Sequence, residues 1–205
     1  MTFSLRKYGG WITIGLLLVI FIVSLTYWFW WGATRLPSIG RAPEFTLQNL
    51  QGEDVSFHDH TGKTRVVEFF YASCPDVCPM TTANLVKIQN EIKQEQPELI
   101  GKEIEFYAIS FDPEHDTTEV LQQYADNLGM DPKLWTVLHG TGKEAQQVAT
   151  DFGMLVQQED DGSFSHSLRS LYVVDGHNNI RAAHYMGDKM DLDSVKHDIL
   201  WLANE

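Results

Sequence analysis

A chain of 205 residues is long enough for one sizeable domain. Its formal charge of −13 is one-sided: all 28 acidic residues follow Arg35, where only 12 basic residues oppose them, a formal −16. That balance excludes a nucleic-acid surface, and its plain meaning is solubility.

Residues 1–10 form a short lead that carries Arg6 and Lys7. Residues 11–31, Trp11 to Trp31, then run for 21 positions without a charge, about the ~20 that cross a bilayer. Trp11 at one end and Tyr27, Trp28, Trp30 and Trp31 at the other stand where interfacial anchors belong. A cleaved signal peptide fits less well. The stretch exceeds an h-region of about 7–15 residues, and Trp31-Gly32-Ala33 is a poor cleavage site. No cysteine follows closely to accept a lipid, which excludes a lipoprotein anchor. Arg6, Lys7 and the terminal amine, weighed against Arg35 and Arg41, favour a cytoplasmic N-terminus. The expected protein is therefore a single-pass protein of the cytoplasmic membrane with its C-terminal domain on the extracytoplasmic side.

Residues 32–41 read as a linker and residues 42–205 as one folded domain. Phe45-Thr46-Leu47 and Val55-Ser56-Phe57 alternate around Gln51-Gly52-Glu53-Asp54, which predicts a hairpin. Val66 to Tyr71 predicts a buried strand, and Thr81 to Gln94 a helix with Pro79 in its first turn. A strand at Ile104–Ser110, a helix at Thr117–Asn127, a strand at Trp135–Leu138 and a helix at Glu144–Phe152 follow. The pattern then changes. After the acidic turn Glu159-Asp160-Asp161-Gly162, Ser170–Asp175 and Ile180–Tyr185 flank a turn at Gly176-His177-Asn178-Asn179, and Leu192–Leu202 closes the chain as an amphipathic helix. Alternating strands and helices, then a hairpin and a helix, predict an α/β fold: a thioredoxin-like mixed sheet flanked by helices. In such sheets ligands bind beyond the carboxyl ends of the strands, where Cys74 falls.

Cys74 and Cys78, four residues apart, are the only cysteines. With the second at the start of a helix, both sulfurs share one face, near the ~6 Å Cα spacing that a disulfide wants. A bridge closing so short a loop would add little stability, which favours a chemical role. Three chemistries compete. Thiol–disulfide exchange of thioredoxin type is opposed by the C-x-x-x-C spacing and by the absence of a proline in Ser165–Ser170, where thioredoxins carry a cis-proline. A peroxidase built on Cys74 lacks a Thr or Ser one turn earlier; Ser73 is its immediate neighbour. Metal binding needs a third donor, and the topology sets His166 opposite the cysteine loop. Two cysteines and one histidine form a soft set suited to copper, with zinc as the alternative. A helix N-terminus beside the pair favours the thiolate form. Of the other histidines, His58, His60, His115, His177 and His197 are expected at the surface, His184 as an ordinary sheet residue, and His139 either near the site or capping its strand.

Phe69 to Pro79, FFYASCPDVCP, resembles the signature of the SCO/SenC family, membrane-anchored copper proteins for cytochrome c oxidase assembly. Ser110 to Thr117, SFDPEHDT, resembles that family's second motif, and Ser165-His166-Ser167 ahead of Leu171–Asp175 its third. The similarity spans roughly residues 42–203. Ala72 stands where the family usually has Thr, Phe111 where Val is common, and Phe164-Ser165 in place of a hydrophobic residue and Asp. The resemblance implies Cu(I) or Cu(II) bound by Cys74, Cys78 and His166. It also implies a task at the binuclear CuA centre of oxidase subunit II: delivering copper, or acting as a thiol–disulfide reductase or redox sensor on its cysteines. Other copper chaperones are expected partners. Asp76, between the cysteines, would tune their charge or receive copper in transit, or simply stand exposed at the helix start. Because copper and a disulfide would use the same sulfurs, the pair would act as a gate: reduced binds, oxidised releases. A flexible loop carrying His166 would open the site for transfer.

Overall fold

The computed structural model describes residues 9–33, 36–140, 143–159, 164–167 and 170–205. Arg6, Lys7, Arg35, the acidic turn at Asp160-Asp161-Gly162, and Leu168-Arg169 lie outside the described residues, as do the side chains of Trp30, Trp31 and His166. The chain divides into two compact units, Met1–Leu36 and Pro37–Glu205.

Among the described residues the first unit contains one helix, α1 (Gly9–Ala33). Its stretch Gly10–Trp28 has a mean hydropathy of 2.2, and none of it is buried. By length and composition this helix is long and apolar enough to cross a membrane. A membrane anchor and a signal sequence share that property.

The second unit is built on an eight-stranded mixed sheet. Its strands are β1 (Gly40–Arg41), β2 (Thr46–Asn49), β3 (Asp54–Ser56), β4 (Thr64–Phe70), β5 (Ile104–Ser110), β6 (Trp135–His139), β9 (Leu171–Val174) and β10 (Asn179–His184). They lie in the order β1-β10-β9-β4-β5-β6-β2-β3. Only β4–β5 and β5–β6 pair in parallel, through crossover connections carrying α2 (Val77–Glu95) and α3 (Thr118–Leu128). A separate two-stranded hairpin, β7 (Val156–Gln158) with β8 (Phe164–His166), follows α4 (Glu144–Asp151), and α5 (Leu192–Ala203) ends the fold.

All seven residues of β4 are buried, so both faces of the sheet are covered. Strand alternation splits them. Phe70 stacks on Tyr124 of α3 at 4.8 Å, and Glu68 meets Thr82 of α2. Phe69, on the other face, packs against Phe152 after α4 and Tyr172 of β9. On that second face the guanidinium of Arg65 lies 4.4 Å over the Phe57 ring and donates to the carbonyls of Phe57 and Asp175. Thr117 caps α3 through its side chain, and Gly129, in the left-handed region at φ 77°, ends it.

The predicted strands and helices are present, with three differences. The helix after the cysteines starts at Val77 rather than Thr81. Pro79 is tolerated there because the first four N–H groups of a helix need no intrahelical acceptor. Gly40 and Arg41, expected in the linker, pair with Ile180 and Asn179 on the edge of β10. The segment after α4 makes the β7–β8 hairpin, so His166 belongs to a strand and not to the flexible loop expected of it.

Candidate metal centre

Beyond the buried end of β4 the chain turns sharply into α2, and that turn is the cysteine loop. The Cys74 N–H donates to the Tyr71 carbonyl at 3.1 Å, which closes the turn. Cys78 occupies the second position of α2, and its N–H donates to Cys74 Sγ at 3.4 Å. The turn into α2 therefore sets two thiols side by side, not joined by a disulfide. They differ in access: Cys74 is 9% exposed and Cys78 is fully buried. The hydrogen bond with Cys74 and then burial push the Cys78 thiol well above the ordinary range. In the dithiol the helix N-terminus does not prevail, contrary to the thiolate form expected. A thiol sealed from water and sharing its hydrogen with a neighbouring sulfur has little to gain from ionising.

Tyr71, just before the loop, is buried beside the pair, and burial and then the charge of Cys74 push its hydroxyl up to about 12. Below the pair, the Thr82 hydroxyl sits 3.0 Å from Glu68 Oε1, 3.1 Å from the Cys78 carbonyl and 2.9 Å from the Tyr124 hydroxyl. Glu68 is fully buried, and desolvation raises it to about 8. To one side, the Asp116 carboxylate accepts the Ala72 N–H at 3.0 Å and bonds the Ser110 hydroxyl at 2.5 Å. Burial raises Asp116 as well. Its neighbour Asp112 holds the exposed His115 through Nδ1 at 3.0 Å.

The β7–β8 hairpin closes on this loop. The Phe164 ring lies 5.4 Å from Tyr71 and 5.3 Å from Phe111, and Tyr71 and Phe111 are 5.5 Å apart. The backbone of His166, two residues after Phe164, pairs with Val156. Three stretches of sequence, around residues 71, 111 and 164, thus meet ring to ring beside the sulfurs.

Asp76 is exposed at the N-cap position of α2 without a side-chain cap bond; its carbonyl accepts the Met80 N–H at 3.2 Å. His139, at the end of β6, lines a separate cavity of about 310 Å³ with Thr46, Leu47, Gln48, Asp54, Gly140 and Glu144, away from the cysteine loop. His184 lies in β10 with its Nε2 3.0 Å from Asp198 Oδ2. His115, His177 and His197 are exposed. His58 and His60, expected at the surface, are half-buried: His58 Nε2 lies 3.1 Å from the Ala42 carbonyl, and His60 pairs with Glu105. Among the described residues no three His, Cys, Asp or Glu side chains gather into a metal-binding group. Those residues contribute the two sulfurs. Tyr71, Glu68 and Asp116 were not singled out from sequence. A carboxylate inside the apolar run Val66–Phe70 is a signal that could have found Glu68.

A family model described as SCO1/SenC matches residues 37–204. The chain belongs to the SCO1/SenC family. Its relatives include the SCO1 protein homolog of Bacillus subtilis, 29% identical over 96 residues that make up 47% of each chain. The chain thus matches about half the length of that relative. Among solved structures, Arabidopsis thaliana ScoI with copper bound superposes with a TM-score of 0.66 at 25% identity, covering 81% of this chain and 98% of that one. BsSco is described as a cytochrome c oxidase assembly protein with a disulfide switch. It superposes at 0.70 with 23% identity over 84% of this chain and 98% of its own, and so shares the fold. The SCO1/SenC thioredoxin-like architecture is the one the sequence predicts.

Proposed function

We propose that this protein binds copper through Cys74, Cys78 and His166 and supplies it to the CuA centre of cytochrome c oxidase subunit II. The observation that carries the reading is the pair of unbridged thiols, four residues apart beyond the carboxyl end of β4, with the strand carrying His166 packed against their loop. Two sulfurs sheltered from water, completed by an imidazole, would make a donor set of the kind that copper prefers over harder cations. β8 carries Phe164 against Tyr71 of the cysteine loop, and His166 lies two residues further along the same strand. Arabidopsis ScoI, a relative in fold and family, carries copper in its crystal structure.

The remaining assignments follow from the same reading. Residues 11–31 anchor the protein in the cytoplasmic membrane, residues 32–41 link, and residues 42–205 face the extracytoplasmic side, where the anchor raises the local concentration of the domain beside a membrane-bound oxidase. A second reading, thiol–disulfide exchange or redox sensing at the CuA cysteines, is favoured by the partial exposure of Cys74 beside a fully buried Cys78, the asymmetry of an attacking and a resolving thiol.

Titration with copper separates the two. Reduced protein given Cu(II) develops an intense sulfur-to-copper charge-transfer band at one copper per chain, and His166→Ala weakens it. A full-intensity band in the variant would remove His166 from the site. Absence of any band, with reduction of a CuA-domain disulfide intact, would leave the exchange reading alone.

A further inference from the structure

The end of the sheet that carries the cysteine loop also gathers apolar surface. In residues 37–205 the large apolar side chains left exposed, among the described residues, are Ile39, Met80, Val120, Leu155 and Tyr185. Met80 lies in the first turn of α2, directly after the cysteines. Val120 lies in the first turn of α3, after β5, which runs parallel to β4. Tyr185 follows β10, which runs the same way as β4 because both are antiparallel to β9. Two residues on, the Gly187 N–H donates to Thr81 Oγ1 at 2.8 Å, next in the chain to Met80. The Leu155 carbonyl accepts the Ser167 N–H at 3.0 Å, on the hairpin whose Phe164 ring packs against Tyr71. Ile39 stands apart, beside Ile180 on the β10 edge. Apolar residues scattered singly over a surface need no explanation; their convergence around a reactive group does.

We propose that this end of the domain is a docking face for a partner protein whose own copper-binding thiols lie in an apolar surface bordered by lysine and arginine. It rests on the copper-binding reading and deepens it by describing the partner. Copper passes between thiolates by ligand exchange: a partner sulfur bonds the ion while Cys74 still holds it, so the two surfaces must meet at Cys74. Cys74 is only 9% exposed and Cys78 not at all, so the partner has to seat closely. Apolar residues around the opening supply the dry centre of such a contact, and charge at its rim steers the approach. Here the exposed rim is acidic: Asp76, Glu114, Glu119 and Asp188 outnumber Lys143 and Lys189. Basic groups on the partner complement it. The same charge repels the anionic headgroups of a membrane surface, which favours a protein over lipid.

The test uses the full-length protein in detergent and needs no copper. In Cys78→Ser protein, Cys74 attacks a disulfide, its sulfur bonds to one sulfur of the pair, and the other leaves as a thiolate, so the mixed disulfide accumulates. Two disulfides are offered: the oxidised CuA domain of an oxidase subunit II, and the small reagent dithiodipyridine. Adding Met80→Gln and Tyr185→Gln together should slow capture of the CuA domain about tenfold and leave the reaction with dithiodipyridine unchanged. Ile39→Gln should change neither. Added salt should slow capture of the CuA domain and spare the small reagent. Capture unchanged by the double substitution would overturn the face, as would equal slowing of both disulfides or an equal effect of Ile39→Gln. Self-association of the full-length protein that the double variant loses would give the face to a second copy instead. Protection of the Met80 and Tyr185 amides from hydrogen exchange on moving from detergent to phosphatidylglycerol vesicles, with no partner present, would give it to lipid; either result overturns the proposal. If wild-type protein takes up no copper, the copper reading falls while the capture rates still decide the face.

Discussion

Asp116 Oδ2 lies 3.0 Å from the main-chain nitrogen of Ala72, so a carboxylate from the connection between β5 and α3 holds the cysteine loop two residues before Cys74. Asp116 is 3% exposed, and its other partner is the buried Ser110 hydroxyl. Asp116→Ala leaves the half-buried Ala72 N–H and the buried Ser110 hydroxyl without their acceptor, at a cost of about 1 kcal/mol or more. Asp116→Asn keeps one acceptor oxygen and should cost less. Urea unfolding of the two variants gives the order, and faster alkylation of Cys74 in the alanine variant would show that the loop itself has loosened.

Glu68 gives stability an unusual pH dependence. Burial raises its carboxyl from 4.5 to about 8, so the folded protein keeps a proton that the unfolded chain has already lost. Where the native state binds more protons, stability falls as pH rises. The contribution is fully present below about pH 4.5 and is lost on the way to about pH 8, at about 1.4 kcal/mol per pKa unit. Glu68→Gln removes the titration. Unfolding free energies measured from pH 5 to pH 8.5 should decline more steeply for wild type than for the variant; parallel curves would clear Glu68 of the effect.

Gly187 sits at φ 64°, with its N–H donated to Thr81 Oγ1 at 2.8 Å and its α-carbon facing Val77 on the first turn of α2. A methyl group added there meets Val77 Cγ1 at 3.3 Å on a backbone that side chains rarely adopt. Gly187→Ala should cost about 1–2 kcal/mol, the scale of the left-handed penalty for a residue with a Cβ. For a domain of this size that is a fall of several degrees in Tm. Since the strain falls on the turn that carries Cys78, copper affinity should drop with it. A variant as stable as wild type would show that the turn can yield.

Access orders the two sulfurs. Cys74 is slightly exposed and Cys78 is not, so limiting iodoacetamide should modify Cys74 first, and peptide mapping by mass spectrometry should find single labels there. Oxidising the pair beforehand should abolish both labelling and copper uptake. Equal copper retention by reduced and oxidised protein would refute the gate.

Residues Pro37–Glu205 form a compact unit with its own sheet and core, so a chain beginning at Pro37 should fold cooperatively and stay soluble without α1. A single thermal transition in aqueous buffer, with no detergent, is the expected behaviour.

Much of this architecture is legible in the sequence wherever a strand or helix is long enough to show its own period. Ile104–Ser110 is bounded as the pattern predicts, and Thr117 and Gly129 mark the two ends of α3. What escapes is decided by distant partners. Gly40-Arg41 is two residues long and is a strand only because β10, some 140 residues later, offers a free edge. The β7–β8 pair has three residues a side and no alternation to betray it. The sulfur pair and the helix turn behind it follow from spacing. The role of Asp116 does not, since it depends on which loop the sheet carries to it. His58 and His60 are drawn inward by the Ala42 carbonyl and by Glu105, partners that composition does not reveal.

The rings of Tyr71, Phe111 and Phe164 come from three separate stretches, yet each touches the other two. Such a triangle makes the stretches hereditary companions: a change of bulk at one corner must be answered at the others. Grafting a single segment from a cousin should therefore yield a poorly fitting chimera, whereas exchanging all three together should restore a working whole.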